Sequence, residues 1–171
     1  MPDEAIRKHI ALEYSRRMNA GDVDAVMELF ADDIVFEDPV GVAPIVGLAA
    51  VRRHIAWSIT LQVQEFPGDP VAAMDDRHVA VQQHVTVWFP GPLTFRIIGV
   101  IQVGEDELIH RAQAFWGLTD TTVGEVPRQP GAADFVAVTE YLGRLSAQRF
   151  GSRDPTGDEG GGTQGELKRS L

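Results

Sequence analysis

The feature that most limits the possible folds of this chain is a long strand-like segment from Leu61 to about Thr119. Within it we expect strands near residues 61–66, 69–74, 78–89, 93–103 and 107–119, with the turns "DDR", "PGP" and "GEDE" between the later ones. The residues before it place apolar side chains at helical spacing. Helices followed by a run of antiparallel strands are typical of an α+β protein with its helices on one face of a curved sheet. Such a sheet can wrap around the first helix and enclose a conical pocket.

Three helices are predicted before the strands. The first covers residues 3–19, and its apolar side chains recur every four residues on one face: Ile6, Ile10, Tyr14 and Met18. Gly21 is the expected C-terminal cap, and Asp22 is the N-cap of the second helix, "DVDAVMELFA". That helix directs four apolar residues inward: Val23, Val26, Met27 and Phe30. Gly47 opens the third helix, "LAAVRRHIAWSI".

The chain divides into one main domain and a C-terminal extension. We expect a barrel domain over residues 1–120, a linker and an amphipathic helix over residues 121–150, and a disordered tail over residues 151–171. The linker is "TTVGEVPRQPG". The helix near 132–150 carries apolar residues on one face: Phe135, Val138, Leu142 and Leu145. The tail is Gly-rich and charged and has no aromatic residue, a composition typical of disorder.

Charge and composition exclude several classes of function. The net charge of −10 disfavours binding to the negatively charged backbone of a nucleic acid, so we expect no nucleic-acid partner. The chain has no cysteine, which excludes disulfides and thiolate chemistry. No apolar run approaches a membrane span, and the charged N-terminus lacks a signal-peptide pattern, so we expect a cytoplasmic protein without a membrane partner. The five histidines form no H-x-x-x-H pair, and we expect no metal site.

Two carboxylates continue apolar rows on predicted strands. Side chains alternate between the faces of a strand, so Asp38 shares a face with Ile34 and Phe36 in "DIVFED", whereas Glu37 points the other way. In "LQVQEF", Glu65 shares a face with Leu61 and Val63. Asp38 and Glu65 are therefore predicted to face inward. For Asp38 the alternative is a solvated strand end before the turn-forming Pro39.

Two inward carboxyls in one pocket suit acid–base chemistry. Like charges in one apolar site push the two pKa values apart, so that one group stays protonated near neutral pH while the other stays ionised. Pro39 has no backbone N–H and offers no donor to a neighbouring carboxylate. The residues alone leave open which carboxyl is the acid and which is the base.

Aromatic residues and one glycine are candidates for the pocket wall. Tyr14 lies on the apolar stripe of the first helix, and its hydroxyl can either stabilise a developing oxyanion or be satisfied within the core. Four further aromatic residues are interpreted as core or pocket wall: Trp57, Trp88, Phe95 and Trp116. Gly99, in the middle of a strand, either leaves room for a ligand or marks a bend in the sheet.

The stretch "YSRRMNAGDVDAVMELFADDIVFEDPVG" resembles the opening of the ketosteroid isomerase-like branch of the nuclear transport factor 2-like superfamily. The resemblance covers roughly residues 3–120, and "NAGD", "LFADD" and "EDPVG" are its most specific parts. It implies a conical α+β barrel with a deep apolar pocket, and many members are dimers. By this resemblance Tyr14 matches the oxyanion-hole tyrosine and Asp38 the proton-shuttling base. Gly99 stands where the isomerase has a protonated aspartate, which argues against plain isomerase activity.

A second branch matches better. "ALEYSRRMNAGD", "EDPVG", "GPL" and "FWGLTDTTV" resemble the epoxide hydrolases/cyclases of polyether polyketide biosynthesis. This resemblance implies Asp38 and Glu65 as the catalytic pair, assisted by Tyr14, for opening an epoxide by a hydroxyl of the same molecule. It also implies a small apolar polyketide-like substrate, no cofactor and a homodimer.

Two alternatives remain at this point. One is a double-bond isomerase or a pyran-forming cyclase that uses Asp38 and Tyr14 without Glu65. The other is a non-catalytic module that binds an apolar ligand.

Overall fold

The structure, a computed structural model, describes residues 2–124, 140–144 and 147. Three α-helices lie within residues 2–124: α1 (Glu4–Ala20), α2 (Val23–Met27) and α3 (Leu48–Thr60). The strands are β1 (Phe30–Glu37), β2 (Ile45–Val46), β3 (Val63–Pro67), β4 (Val71–Ala72), β5 (His78–Val87), β6 (Leu93–Val103), β7 (Ile109–Phe115) and β8 (Thr121–Val123). A single 3₁₀ turn, Leu118–Asp120, precedes β8.

All eight strands belong to one curved sheet. Its main order is β2-β1-β7-β6-β5-β3, with β4 paired to β5 and β8 paired to β6. The β1–β7 pair is parallel and the other pairs are antiparallel. The predicted α+β class with a mostly antiparallel curved sheet is confirmed. The sheet does not close into a complete barrel within the described residues, because β2 and β3 end its two sides and the helices pack across its concave face.

Helix α1, Glu4–Ala20, begins and ends one residue later than the predicted bounds of 3–19. The Asp3 side chain accepts a hydrogen bond from the backbone N–H of Ile6 at 2.8 Å, which satisfies one of the free donors of the first turn. Gly21 ends the helix in the left-handed conformation, with φ of 72°, where a side chain is disfavoured. Asp22 then caps α2 by accepting from the N–H of Ala25.

The buried face of α1 differs from the predicted one. Ile6 is 36% exposed rather than inward. The buried residues of the helix are Arg7, Ile10, Ala11, Ser15 and Met18. The helix is therefore rotated slightly from the four-residue stripe, because a spacing of 3.6 residues per turn drifts away from a strict period of four. This rotation brings Ser15 to the inside.

Some element boundaries also differ from the predictions. Helix α2 ends at Met27, and Phe30 begins β1 instead of ending the helix. Phe30 is nevertheless buried, since β1 pairs there with Ile109 of β7. Strand β2 was not predicted, and β8 lies in the segment assigned to the linker, where it pairs with the start of β6.

The hydrophobic core includes one cluster packed against the helices and another that contains Tyr141. The larger apolar cluster joins α1, α2 and α3 to β1 and β7, and a second cluster contains Leu93, Phe95 and Tyr141. Residues 140–144 are helical. The rest of the predicted helix near 132–150, most of the predicted linker and the tail over 151–171 lie outside the described residues. No helix within the described part of the chain has the length and apolarity needed to cross a bilayer.

Candidate active site

A cavity of about 520 Å³ lies between the concave face of the sheet and helices α1 and α3. This volume is in the range of cavities that hold small organic ligands. Most of its wall is apolar, including four valines at alternate positions of β5: Val79, Val81, Val85 and Val87. The polar or titratable residues in the wall are Tyr14, Ser15, Asp38, His54, Ser58, Glu65, Gln83 and Gln113.

Most of the predicted site residues lie in this one cavity. The two carboxyl residues Asp38 and Glu65 line it together with Tyr14. Four of the five predicted wall residues also line it: Trp57, Phe95, Gly99 and Trp116. The alternation of side chains thus predicted the facing of both carboxyls correctly.

Trp88 is the exception, and its prediction as a pocket residue is wrong. Its side chain is 48% exposed and its indole N–H donates to Gln64 outside the cavity. The physical reason is alternation, because the cavity-lining residues of β5 are the odd-numbered ones and Trp88 follows Val87 on the opposite face.

Glu65 is held by two side chains of α1. The Ser15 hydroxyl donates to Oε2 of Glu65 at 2.7 Å. Asn19 fixes the backbone of the same residue: its amide donates to the Glu65 carbonyl at 2.7 Å, and its side-chain oxygen accepts from the Glu65 N–H at 2.7 Å. Because β3 is an edge strand whose Glu65 backbone groups face away from β5, Asn19 satisfies groups that would otherwise remain unpaired.

The surroundings of Glu65 favour its protonated form. The residue is 5% exposed, and this burial is the largest cause that raises its pKa from 4.5 to about 7. The hydrogen bond from Ser15 opposes the rise, and the charge of Asp38 adds to it. At neutral pH a large fraction of Glu65 therefore carries a proton that it can donate.

Asp38 follows the end of β1 and is held by one hydrogen bond from Trp116, with His54 nearby. The indole N–H of Trp116 donates to Oδ1 of Asp38 at 2.6 Å, and Nε2 of His54 lies 3.7 Å from Oδ2. Trp116 itself packs edge-on against Phe95, with ring centroids 4.7 Å apart. The carboxyl is thus fixed in the cavity wall with one oxygen bonded to Trp116 and the other towards His54.

The neighbouring acid, Glu37, has a different role. It points away from the cavity, as alternation predicts, and its Oε2 accepts from Arg111 and Gln113, each at 2.7 Å. These hydrogen bonds lower the pKa of Glu37, Arg111 being the larger cause. Of the two acids in "VFEDPVG", Glu37 is therefore an ion-pairing residue of the sheet, and Asp38 belongs to the cavity.

Tyr14 presents a phenol to the same cavity. Burial, and then the negative charges of Glu65 and Asp38, raise its pKa well above its usual value of 10. The hydroxyl therefore keeps its proton and can donate a hydrogen bond to a molecule in the cavity. Its ring packs edge-on against Phe30 at 5.9 Å, which orients it.

Six polar residues of the site were not predicted: Ser15, Asn19, His54, Ser58, Gln83 and Gln113. Ser15 and Asn19 lie four residues apart on α1, beside the predicted stripe, so a helical period of 3.6 rather than four would have identified Ser15. His54 has a similar signal, since it lies three residues after the buried Val51 of α3 and so on the same side of the helix. Its Nδ1 is buried and has no hydrogen-bond partner among the described residues.

An α+β fold with a deep apolar cavity and two carboxyls of unlike surroundings defines a class of small-molecule-binding proteins and enzymes. Within this class, the family model of the SnoaL-like domain matches residues 11–112. The chain belongs to the SnoaL-like domain family, as the resemblance to the nuclear transport factor 2-like superfamily predicted.

Two relatives carry names that agree with the second resemblance. The chain is 44% identical over 127 residues to the epoxide hydrolase LasB of Streptomyces lasalocidi. The matched segment covers 71% of this chain and 45% of the relative. The chain thus spans about half the length of that curated relative. The chain is 34% identical in sequence to SalBIII, whose structure is solved, and the two structures have a TM-score of 0.69. The match covers 72% of this chain and 99% of SalBIII. SalBIII is described as an epoxide hydrolase/cyclase-like enzyme with a role in pyran ring formation in the polyether salinomycin.

More distant structures share the fold alone. A Mycobacterium tuberculosis protein in complex with estradiol-17beta-hemisuccinate is 21% identical, with a TM-score of 0.63, and covers 66% of this chain and 95% of that one. A computationally designed 17-OHP binder is 20% identical with the same TM-score, and covers 68% of this chain and 95% of that one.

Proposed function

We propose that the protein is an epoxide hydrolase/cyclase of polyether polyketide biosynthesis, which opens an epoxide by attack of a hydroxyl of the same molecule. The observation that carries the proposal is the pair Asp38 and Glu65 in one apolar cavity, held by different partners. The names of the two relatives at 44% and 34% identity support the reaction class. The apolar wall suits a substrate that is mostly hydrocarbon.

In the proposed step Asp38 is the base and Glu65 the acid. The Asp38 carboxylate takes the proton of the substrate hydroxyl, and that oxygen forms a bond to one epoxide carbon. The bond between this carbon and the epoxide oxygen breaks, and Glu65 donates its proton to that oxygen. The substrate is isomerised, and one proton has passed from Glu65 to the product and another from the substrate to Asp38. Exchange of protons between the carboxyls and solvent restores the starting state.

The surroundings of the two carboxyls support this assignment. A pKa of about 7 makes Glu65 a good donor near neutral pH, because general acids are most effective when their pKa lies near the working pH. Trp116 donates to one oxygen of Asp38, which leaves the other oxygen to accept the substrate proton. General acid and general base assistance each contribute roughly 10²–10⁴-fold.

Tyr14 and the cavity shape provide the remaining contributions. The Tyr14 phenol is a donor that can stabilise negative charge on the epoxide oxygen as it develops. The enclosed wall folds the substrate so that the hydroxyl meets one carbon of the epoxide. The step balances with these side chains alone, so the proposal includes no cofactor.

A pyran-forming cyclase is the second candidate, and the similarity to SalBIII favours it specifically. In a conjugate addition, Asp38 would take the hydroxyl proton and Tyr14 would stabilise the enolate. Glu65 would then have no direct role. The two candidates therefore differ in their dependence on Glu65.

Double-bond isomerisation has less support. Gly99 lies in the cavity wall where the resembling isomerases have a protonated aspartate, and it provides no donor. A Cβ at Gly99 would lie 3.8 Å from both Nε2 of Gln83 and the carbonyl oxygen of Val81, which is ordinary van der Waals contact, so the backbone at this position would accept a side chain that this sequence does not supply.

The decisive experiment is turnover of a linear hydroxy-epoxide polyketide mimic by the wild type, Asp38→Asn and Glu65→Gln, with the product ring identified by NMR. We expect cyclisation by the wild type and a loss of at least about 10²-fold in each variant. Glu37→Gln is the matched control, because it makes the same chemical change in the adjacent acid that points away from the cavity. Cyclisation that survives Glu65→Gln would contradict the epoxide mechanism and favour the pyran-forming one.

We also propose that the chain acts as a homodimer, as the family resemblance implies. Ile98 and Phe115, paired across β6 and β7, are 53% and 44% exposed, and such an apolar pair suits contact with a second copy. Sedimentation equilibrium would check this proposal, and a monomer at micromolar concentration would contradict it.

A further inference from the structure

Residues 140–144 contribute to the cavity although they lie beyond the SnoaL-like match, which covers residues 11–112. Leu142 is one of the residues that line the cavity. We propose that Leu142, held in place by Tyr141, is a specificity-determining residue that limits the size of the molecule the cavity accepts. The inference rests on the proposed function for the identity of the substrate, whereas the limit on size can be tested by binding alone.

Tyr141 anchors this segment to the domain. Its side chain is buried, with 2% exposure, and its ring belongs to an apolar cluster with Leu61, Val87 and Leu93. Its hydroxyl lies 2.9 Å from the carbonyl oxygen of Gly91 and 3.3 Å from that of Phe89 and donates to them. Both carbonyls belong to the turn between β5 and β6. The segment is therefore fixed to the sheet through both the ring and the hydroxyl of one residue.

The next residue, Leu142, projects into the wall of the cavity. It packs against the same apolar cluster, which also contacts Trp57 and Trp116. Trp116 donates to Asp38. A single continuous apolar surface thus leads from the proposed base to Leu142.

This continuity indicates where the unreactive part of a substrate lies. A molecule whose hydroxyl reaches Asp38 passes Trp116, and its apolar remainder extends along the surface towards Leu142. The size of the side chain at position 142 then sets how long or bulky that remainder can be, because the rest of the wall consists of strands and helices packed in the core. A smaller residue enlarges the space and a larger one fills it.

Binding of apolar ligands of graded length tests the inference. The full-length chain is loaded with the uncharged fluorescent probe N-phenyl-1-naphthylamine, which is then displaced by linear primary alcohols from hexanol to tetradecanol. We expect Leu142→Ala to tighten binding of the longest alcohols roughly tenfold, and Leu142→Trp to weaken it by at least about tenfold, since each buried methylene changes affinity about fourfold. Tyr141→Phe keeps the ring but loses the hydroxyl anchor, and we expect a change of roughly threefold in the direction of Leu142→Ala.

Leu12→Ala is the matched control, since it makes the same substitution on the outer side of α1 at a residue that is 38% exposed. The inference would be overturned if the ratio of affinities for long and short alcohols in the Leu142 variants stayed within about twofold of the wild-type ratio. An equal shift of this ratio in Leu12→Ala would also overturn it. If Leu142→Ala does not fold, as judged by circular dichroism, Leu142→Trp and Tyr141→Phe decide the question. Failure of the wild type to cyclise a hydroxy-epoxide would contradict the proposed function but would leave this binding test unchanged.

Discussion

Glu65 couples the stability of the protein to pH. Its pKa is about 7 in the folded chain, mainly because burial disfavours the carboxylate, and 4.5 is its ordinary value. Between pH 4.5 and about 7, Glu65 keeps its proton in the folded chain and loses it in the unfolded chain. Glu65 therefore contributes stability that is fully present below pH 4.5 and is lost as the pH rises through 7. As the pH rises through this range, the titration of Glu65 lowers the free energy of unfolding by on the order of 3 kcal/mol.

The substitution Glu65→Gln removes this titration. We expect the wild type to lose on the order of 3 kcal/mol of unfolding free energy relative to Glu65→Gln between acidic and mildly alkaline pH. Urea unfolding of both proteins across this range measures the difference. The groups that face Glu65 in the cavity, Tyr14, Asp38 and His54, are the same in both proteins, as is the surface His110, so the difference reports Glu65 together with its charge interaction with Asp38. Parallel curves for the two proteins would contradict a protonated, buried Glu65.

The sequence predicted the facing of single residues better than their partners. Alternation along two short strands placed Asp38 and Glu65 inward and Glu37 outward, because the side-chain period of a strand is two and leaves little freedom. The same rule, applied to β5, would have put Trp88 outside. The hydrogen bonds from Ser15 to Glu65 and from Trp116 to Asp38 join residues 50 and 78 positions apart, and no local period specifies such distances.

At the scale of elements, α1 acts as the support of the proposed acid. Ser15 and Asn19 lie four residues apart, so both point to β3 from one side of the helix. Ser15 bonds the carboxyl of Glu65 and Asn19 bonds its backbone, yet the two contacts have opposite effects on the proton. Ser15 stabilises the ionised form, whereas Asn19 keeps the strand in place and so maintains the burial that favours the protonated form.

Substitutions of these two residues should therefore shift the pH dependence of turnover in opposite directions. Ser15→Ala removes a donor to the carboxylate, and we expect the pH at which activity falls on the alkaline side to rise. Asn19→Ala loosens the edge strand and admits water, and we expect that pH to fall. Profiles of kcat and kcat/KM against pH measure both shifts.

Asp3→Ala is the matched control for this helix. It removes the N-terminal cap and costs about 1 kcal/mol of stability at the end of α1 remote from Ser15 and Asn19. We expect a lower melting temperature with an unchanged pH profile. If Asn19→Ala changes only the melting temperature in the same way, Asn19 has a structural role and does not position the acid.

The larger elements were predictable and the smallest ones were not. Caps and periodicity located α1 and α3, because a helix of three or more turns repeats its pattern several times. Strands β2 and β8 have two and three residues, too few to show a period, and they form only because β1 and β6 offer free edges. The start of β1 at Phe30 was missed for a related reason, since its parallel pairing with β7 comes from a distant part of the chain.

At the scale of the whole molecule, the fold makes ligand binding and protonation interdependent. The curved sheet, α1 and α3 together enclose a mostly apolar space that contains both Asp38 and Glu65. An uncharged ligand that fills this space displaces water from the carboxyls. Loss of water disfavours the ionised form further, so the pKa of Glu65 rises when the ligand binds. By linkage, the protonated protein must bind the ligand more tightly than the ionised protein.

The affinity for an uncharged apolar ligand should therefore fall as the pH rises above 7, by up to about tenfold per pH unit over the range in which binding takes up a proton. Calorimetric titration of decanol near neutral pH, in buffers of different ionisation enthalpy, measures that uptake directly. In Glu65→Gln we expect the uptake to disappear and the affinity to become nearly independent of pH in this range. Uptake that persists in Glu65→Gln would assign the coupling to another group in the wall, such as Asp38 or His54. Uptake absent from the wild type would mean that filling the cavity does not change the protonation of Glu65, which would contradict the coupling between ligand binding and this carboxyl.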